Sequence, residues 1–250
     1  TGSPMRLILG FALPTLLGML FQQLYNMMDT MIVGKLLGAT ALAAVGSTGS
    51  INFFVIGFCM GVCNGFAIPV AQRMGAGDYS QMRRYVANAA WLAIAFAAVL
   101  TVATGLLCGT ILTVMNTPAD IYEGAYWYIF IIFMGIPATF LYNLLAAVIR
   151  SLGDSKTPVY FLAMSSVLNI GLDLAFILVF RLGVAGAAVA TVLSRYTETA
   201  IVVIWAHTHE KENTYMTGLY KTLSVPRDHV KKYFIKGTPL LLNEALWSFG

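Results

Sequence analysis

The chain has 250 residues, of which 58% are hydrophobic and only 10% charged, with a formal net charge of +4. A water-soluble domain carries about 25% charged residues, and this composition, with a mean hydropathy of +0.77, excludes that class. A transmembrane β-barrel would show alternating segments of about ten residues; the long apolar runs seen instead predict an all-α integral membrane protein.

Apolar windows near the ~20 residues that a helix needs to cross a bilayer predict spans at residues 7–33, 44–71, 85–107, 121–149, 157–180 and 184–206. The first run is too long for a secretory signal and lacks a small-residue cleavage site, so it is expected to stay as a helix. It carries Pro14 and, near its outer end, Asp29. The second span repeats Gly57, Gly61 and Gly65 every four residues, a spacing that lets helices approach closely, and also holds Pro69. The fourth contains Pro137; like Pro14 and Pro69 it removes a helix hydrogen bond and can kink or hinge its span. The fifth places Asn169 and Asp173 four apart, one turn along a single face. The sixth opens on Gly183, Gly186 and small alanines, then carries Thr191, Arg195 and Glu198, the last two three apart and able to neutralise each other. Cys59, Cys63 and Cys108 lie in apolar surroundings with no CxxC pair, so packing is their expected role.

Residues 207–232 form the only long polar segment and read as a linker between two helical bundles. A seventh span begins near Tyr233, holds Glu244 and is still apolar at Gly250, so the sequence reads as the first part of a longer protein. The string KGTPLLL from Lys236 echoes LGFALPTLL from Leu9, as a parallel repeat of six-helix lobes would. Orientation follows from Lys and Arg. Of the 15 basic residues, Lys35 and Arg181 fall on one side, Arg195 falls inside a span, and the rest fall on the other side with the amino terminus. That side is expected to be cytoplasmic, in the cell's inner (plasma) membrane. The basic balance is then a consequence of topology, and no nucleic-acid partner is expected.

An ionised group inside hydrocarbon costs about 2.5 kcal/mol or more, so Asp29, Asp173, Glu198 and Glu244 each require an account. Asp29 sits about four residues, and Asp173 about seven, before the outer ends of their spans; at ~1.5 Å per residue both lie roughly 6–10 Å deep. Thr191, about seven residues into the returning span, reaches the same level. Oxygen atoms from separate helices thus meet in one layer, with Asn169 beside Asp173. Such a set suits a small hard cation, and because two carboxylates in one dry layer repel, a proton is the natural competitor. Asp29 could instead hydrogen-bond to a neighbouring helix or to headgroup water, and Asn169 and Thr191 could simply join helices. Arg195 and Glu198 read as mainly structural.

No enzyme is expected. His207, His209 and His229 all lie in the linker, so no serine–histidine site falls within the membrane. A lipid-linked sugar flippase would line its cavity with several arginines, and a channel-like or purely structural role is the third alternative.

The strings FALP (11–14), QQLYNMMD (22–29), IVG (32–34), LAAVG (42–46), AQRMGA (71–76), RSLGDSKTP (150–158) and NIGLD (169–173) occur in the order and spans of one family. On these residues the chain resembles the multidrug and toxic compound extrusion (MATE) family over essentially its whole length. The resemblance implies a twelve-helix, V-shaped protein of two six-helix lobes. Such a protein is an antiporter that exports organic cations or drug-like compounds in exchange for Na+ or H+, with no cofactor. This chain would be the amino-terminal lobe, monomeric with its second lobe. Carried over by position, Asp29, Asn169, Asp173 and Thr191 match the amino-lobe cation site, lined by Tyr128. Gln22, Tyr25 and Asn26 match substrate or coupling positions, Pro14 the bend of the first helix, and Glu244 a carboxylate that some members place on helix seven.

Overall fold

The computed structural model describes residues 4–209 together with Val230, Tyr233, Ile235, Thr238 and Pro239. Eight α-helices follow one another without a strand among the described residues: α1 (Pro4–Leu37), α2 (Ala39–Ser47), α3 (Gly49–Gly75), α4 (Tyr79–Val114), α5 (Tyr122–Met134), α6 (Ile136–Ser151), α7 (Thr157–Leu174) and α8 (Gly183–Thr208). A π-helical turn, Ala175–Val179, extends α7.

Two expected spans are not single helices. The run at 44–71 breaks at Thr48, where the Ser47 and Thr48 hydroxyls donate to the carbonyls of Ala44 and Val45 at 2.8 Å each, offering the backbone an alternative to the helix ladder. The run at 121–149 bends by 46° at Gly135. Pro137, in the first turn of α6, has no N–H to continue the ladder from α5, so this proline kinks its span as the sequence suggests. Pro14 and Pro69, in contrast, lie inside continuous helices. By length and apolarity four helices among the described residues can cross a membrane (α3, α4, α7 with its π turn, and α8), and the bent α5–α6 pair makes a fifth. The remaining expected span, at 7–33, lies within α1, a continuous helix of 34 residues.

Helix α3 packs mainly against α4 and α6. Gly57, Gly61 and Gly65 are buried along it, and Cys63 donates its thiol to the Phe140 carbonyl of α6 at 3.4 Å. Outward-facing Val99, Val102 and Leu106 leave α4 apolar on its far side, as a lipid-facing helix requires. Most of the linker and of the seventh span, Glu244 included, lies outside the described residues. Tyr233, however, is buried against Tyr85 and Phe66, and its hydroxyl donates to the Tyr85 carbonyl at 2.6 Å. Tyr233 is thereby anchored to α3 and α4.

Closest packing falls at the α5–α6 bend. A methyl group added at Gly135 would sit 3.0 Å from Val192 Cγ2 and 3.1 Å from the Ile132 carbonyl oxygen. Overpacking of this kind costs about 1–3 kcal/mol, so Gly135→Ala is expected to lower the thermal midpoint in detergent by several degrees. Gly171→Ala, whose methyl would meet nothing within 4 Å, should leave it unchanged.

Candidate functional site

Helix α1 is turned inside out relative to a soluble helix. Tyr25, Asp29 and Val33, four residues apart, are buried, while Leu13, Leu16, Leu20, Leu24, Met27 and Met31 are exposed. An i, i+4, i+8 stripe is one helix face, so the polar stripe of α1 points into the lobe and its leucines point out. Opposite it, α7 presents Asn169 and Asp173, both 0% exposed.

The carboxyl groups of Asp29 and Asp173 lie within hydrogen-bonding reach of each other. The Asn169 amide joins Asp173 to α8: its nitrogen donates to Asp173 Oδ2 at 2.9 Å while its oxygen accepts from the Thr191 N–H at 3.3 Å. In the opposite amide orientation the nitrogen instead donates to Thr191 Oγ1 at 3.4 Å. The Tyr25 hydroxyl is within hydrogen-bonding reach of Thr191, and Tyr128, buried on α5, stands within electrostatic range of Asp29, Tyr25 and Asp173. Among the described residues, one oxygen each of Asp29 and Asp173 (Oδ1 in both) is buried without a partner. An unpaired buried oxygen on an ionised carboxylate is costly, so a proton or a positive charge beside these oxygens would stabilise the layer. Carboxylate, amide and hydroxyl oxygens are the donors a small hard cation takes. No group of three or more His, Cys, Asp or Glu side chains that could hold a metal ion occurs among the described residues.

Of the residues expected from the sequence, Asp29, Asn169, Asp173, Thr191, Tyr128 and Tyr25 come together. Gln22, one turn further along α1, lines a neighbouring cavity; Asn26 is exposed and stands apart. Pro14 is half-buried and remote from the layer.

Below the layer the sequence undersold a second tier. Arg195 Nη1 donates to Glu198 Oε2 at 2.9 Å, with Glu198 only 1% exposed, and the guanidinium lies 5.4 Å from the Tyr25 ring centroid. The hydroxyls of Tyr142 and Ser165 are within hydrogen-bonding reach of Glu198. The signal was available, because Arg195 follows Thr191 by four residues and therefore shares its face. The positions of Tyr142 and Ser165, on other helices, carried no such signal. Arg195 also reaches a cavity of about 420 Å³ that runs between α1, α3, α6 and α7 to the basic end of the lobe.

The MatE family model matches residues 14–175. The probable multidrug resistance protein YpnP of Bacillus subtilis is 35% identical over 194 residues, which is 78% of this chain and 44% of that protein. A second B. subtilis relative, the probable multidrug resistance protein YoeA, is 29% identical over 242 residues, 95% of this chain and 52% of its own length. Among solved structures, the outward-facing conformation of a multidrug resistance MATE family transporter of the MOP superfamily is similar with a TM-score of 0.89 at 27% identity, over 97% of this chain and 53% of that one. The chain thus spans about half the length of the relatives it matches.

Breaking a buried ion pair by removing one partner costs about 3–5 kcal/mol, whereas replacing both by apolar side chains is often neutral. Arg195→Met and Glu198→Met are each expected to lower the thermal midpoint markedly, and the double variant to recover most of the loss. Midpoints of the three variants, read by size exclusion after heating, would show additive losses if the two residues did not act as a pair.

Proposed function

Since the chain belongs to the MatE, or multidrug and toxic compound extrusion, family, we propose that it forms the amino-terminal lobe of a secondary transporter exporting drug-like compounds in exchange for Na+ or H+. The observation that carries this reading is the meeting of Asp29 and Asp173 in the dry interior, each with a buried oxygen left unpartnered. What supports an ion site is that the two carboxyl groups, on different helices, lie within reach of each other with no basic side chain paired to either among the described residues.

The layer joins α1 to α7 and α8, so its occupancy acts on α1. Empty and ionised, the two carboxylates push α1 away from α7; a bound cation or shared proton draws it in. The Asn169 amide nitrogen donates to Asp173 Oδ2 and so ties that carboxylate to α8 through Thr191. At the basic end α1 is close to α7, with Gly18 against Val159, and Pro14 lies one turn beyond Gly18 where the helix lacks a hydrogen bond. Movement of the outer half of α1 is then absorbed at Pro14, which reshapes the cavity beside it and lowers its affinity for the bound compound. A ligand shifts such an equilibrium only by its differential affinity for the two shapes, a few kcal/mol.

Asp173→Asn is expected to insert and fold normally but to lose at least tenfold in gradient-driven efflux, measured in vesicles with an imposed Na+ or H+ gradient. Unchanged efflux would remove the layer from the coupling path. Pro14→Ala restores the missing N–H and should hold α1 in one shape, so drug binding persists while its sensitivity to cation is lost. Drug affinity measured at two Na+ concentrations and two pH values would refute the bending step if the variant stayed as cation-sensitive as the parent.

A further inference from the structure

The cavity beside the layer has the opposite sign to the layer itself. Stripes at helical spacing line it: Thr139, Asn143, Ala147 and Arg150 from α6, and Thr15, Gly18 and Gln22 from α1, with Arg195 entering from α8. Both arginines face it, and no carboxylate is among its lining residues. Arg195 is balanced by Glu198. Arg150 forms no salt bridge among the described residues, so among those residues the wall carries one positive charge without a counter-charge. The carboxyl end of α6 favours a cation at this position. That accounts for the charge of Arg150 but not for its half-buried side chain lining a cavity.

The remaining wall is mixed. Met60, Ile68 and Leu162 offer apolar surface, and Asn64, Asn143 and Gln22 offer amides. A volume of about 420 Å³ falls within the range of about 300–1,000 Å³ that holds small molecules. The Glu198 bond occupies one of the N–H donors of Arg195, and a guanidinium has five. Planar guanidinium groups match carboxylate, sulfonate and phosphate oxygens in pairs. An organic cation entering here would meet two arginines and no carboxylate among the described lining residues.

We infer that this cavity takes an amphipathic organic anion, an apolar and typically aromatic body whose carboxylate, sulfonate or phosphate is held by Arg150 and Arg195. This departs from the organic cations implied by family resemblance. As the identity of the exported cargo it rests on the function proposed above. Its test reads binding without any gradient, however, so a failed test leaves ion-coupled export standing, and a failed transport assay leaves the cavity's preference standing. The same chemistry could be met by an anionic lipid headgroup, and the experiment separates the two sources.

Two probes that differ only in charge decide the matter: naphthalenesulfonate and naphthyltrimethylammonium, titrated against the full-length protein in nanodiscs of pure phosphatidylcholine. The sulfonate is expected to bind at least tenfold more tightly than the ammonium. Arg150→Gln, and separately the double variant Arg195→Met with Glu198→Met, should each erase most of that preference. Equal binding of the two probes, or tighter binding of the ammonium, overturns the inference. This parental comparison stands even if a variant fails to fold. Repeating the titration with phosphatidylglycerol in the disc should leave sulfonate affinity unchanged. Its loss there, in the parent protein, would assign the arginines to a lipid headgroup and overturn the small-molecule reading.

Discussion

Two carboxylates within hydrogen-bonding reach in an apolar interior are the constraint on which the rest of the lobe depends. At such a separation and in poor solvent, mutual repulsion and lost hydration each amount to several kcal/mol, so the pair is tolerable only with a proton or cation between its members or with α1 withdrawn. The surroundings fit that instability. The Asn169 amide nitrogen donates to Asp173 Oδ2, Thr191 and Tyr25 bring hydroxyls, and no lysine or arginine salt-bridges either aspartate among the described residues. A permanent counter-ion would settle the pair and remove its responsiveness.

Arg195 is the group best placed to become such a counter-ion, since it lies over Tyr25, one turn from Thr191 and thus one turn from the layer. Glu198 prevents it. The 2.9 Å bond holds the guanidinium towards the second tier, and Tyr142 and Ser165 stand by the carboxylate that holds it. A buried ion pair of this kind contributes little net stability; its consequence here is positional, keeping a fixed positive charge close to the acidic layer without entering it. The pair read in the sequence as a self-neutralising structural feature is therefore also what holds a fixed positive charge away from the acidic layer.

Sequence spacing disclosed what lies along one helix and little of what lies between helices. Asn169 with Asp173 and Arg195 with Glu198 follow from i, i+4 and i, i+3 arithmetic. Pro137 marked its bend because a proline near a glycine in an apolar run can hardly continue a ladder. The break at Thr48 was illegible, since serine and threonine are common inside membrane helices and nothing local distinguishes hydroxyls that end a helix from those that do not. On α1 the motif offered Gln22, Tyr25, Asn26 and Asp29 as equals. Only packing against α7 and α8 sorts them, burying Tyr25 and Asp29, turning Gln22 to the cavity and leaving Asn26 outside. Arg150 was counted as a topology marker in a loop; that it ends α6 and lines a cavity depends on the bend at Gly135, which redirects the whole helix.

The opposite signs of layer and cavity bear on how exchange would work. Were the cargo a cation, it could compete with the coupling ion for Asp29 and Asp173, and exchange would need nothing beyond mutual exclusion at one site. An anion held by Arg150 and Arg195 has no claim on those carboxylates, and its charge would draw a cation in rather than drive one out. Direct electrostatics would then favour carrying both together, the reverse of exchange. Antiport of an anion therefore requires that the two occupancies oppose each other through shape, and α1 is the element able to do so. It contributes Asp29 to the layer, Gln22, Gly18 and Thr15 to the cavity wall, and a proline just beyond the wall. A helix drawn inward at its outer end by a filled layer cannot hold its inner stripe in the same place, and the mechanical term must exceed the attraction between cation and anion for the cargo to leave.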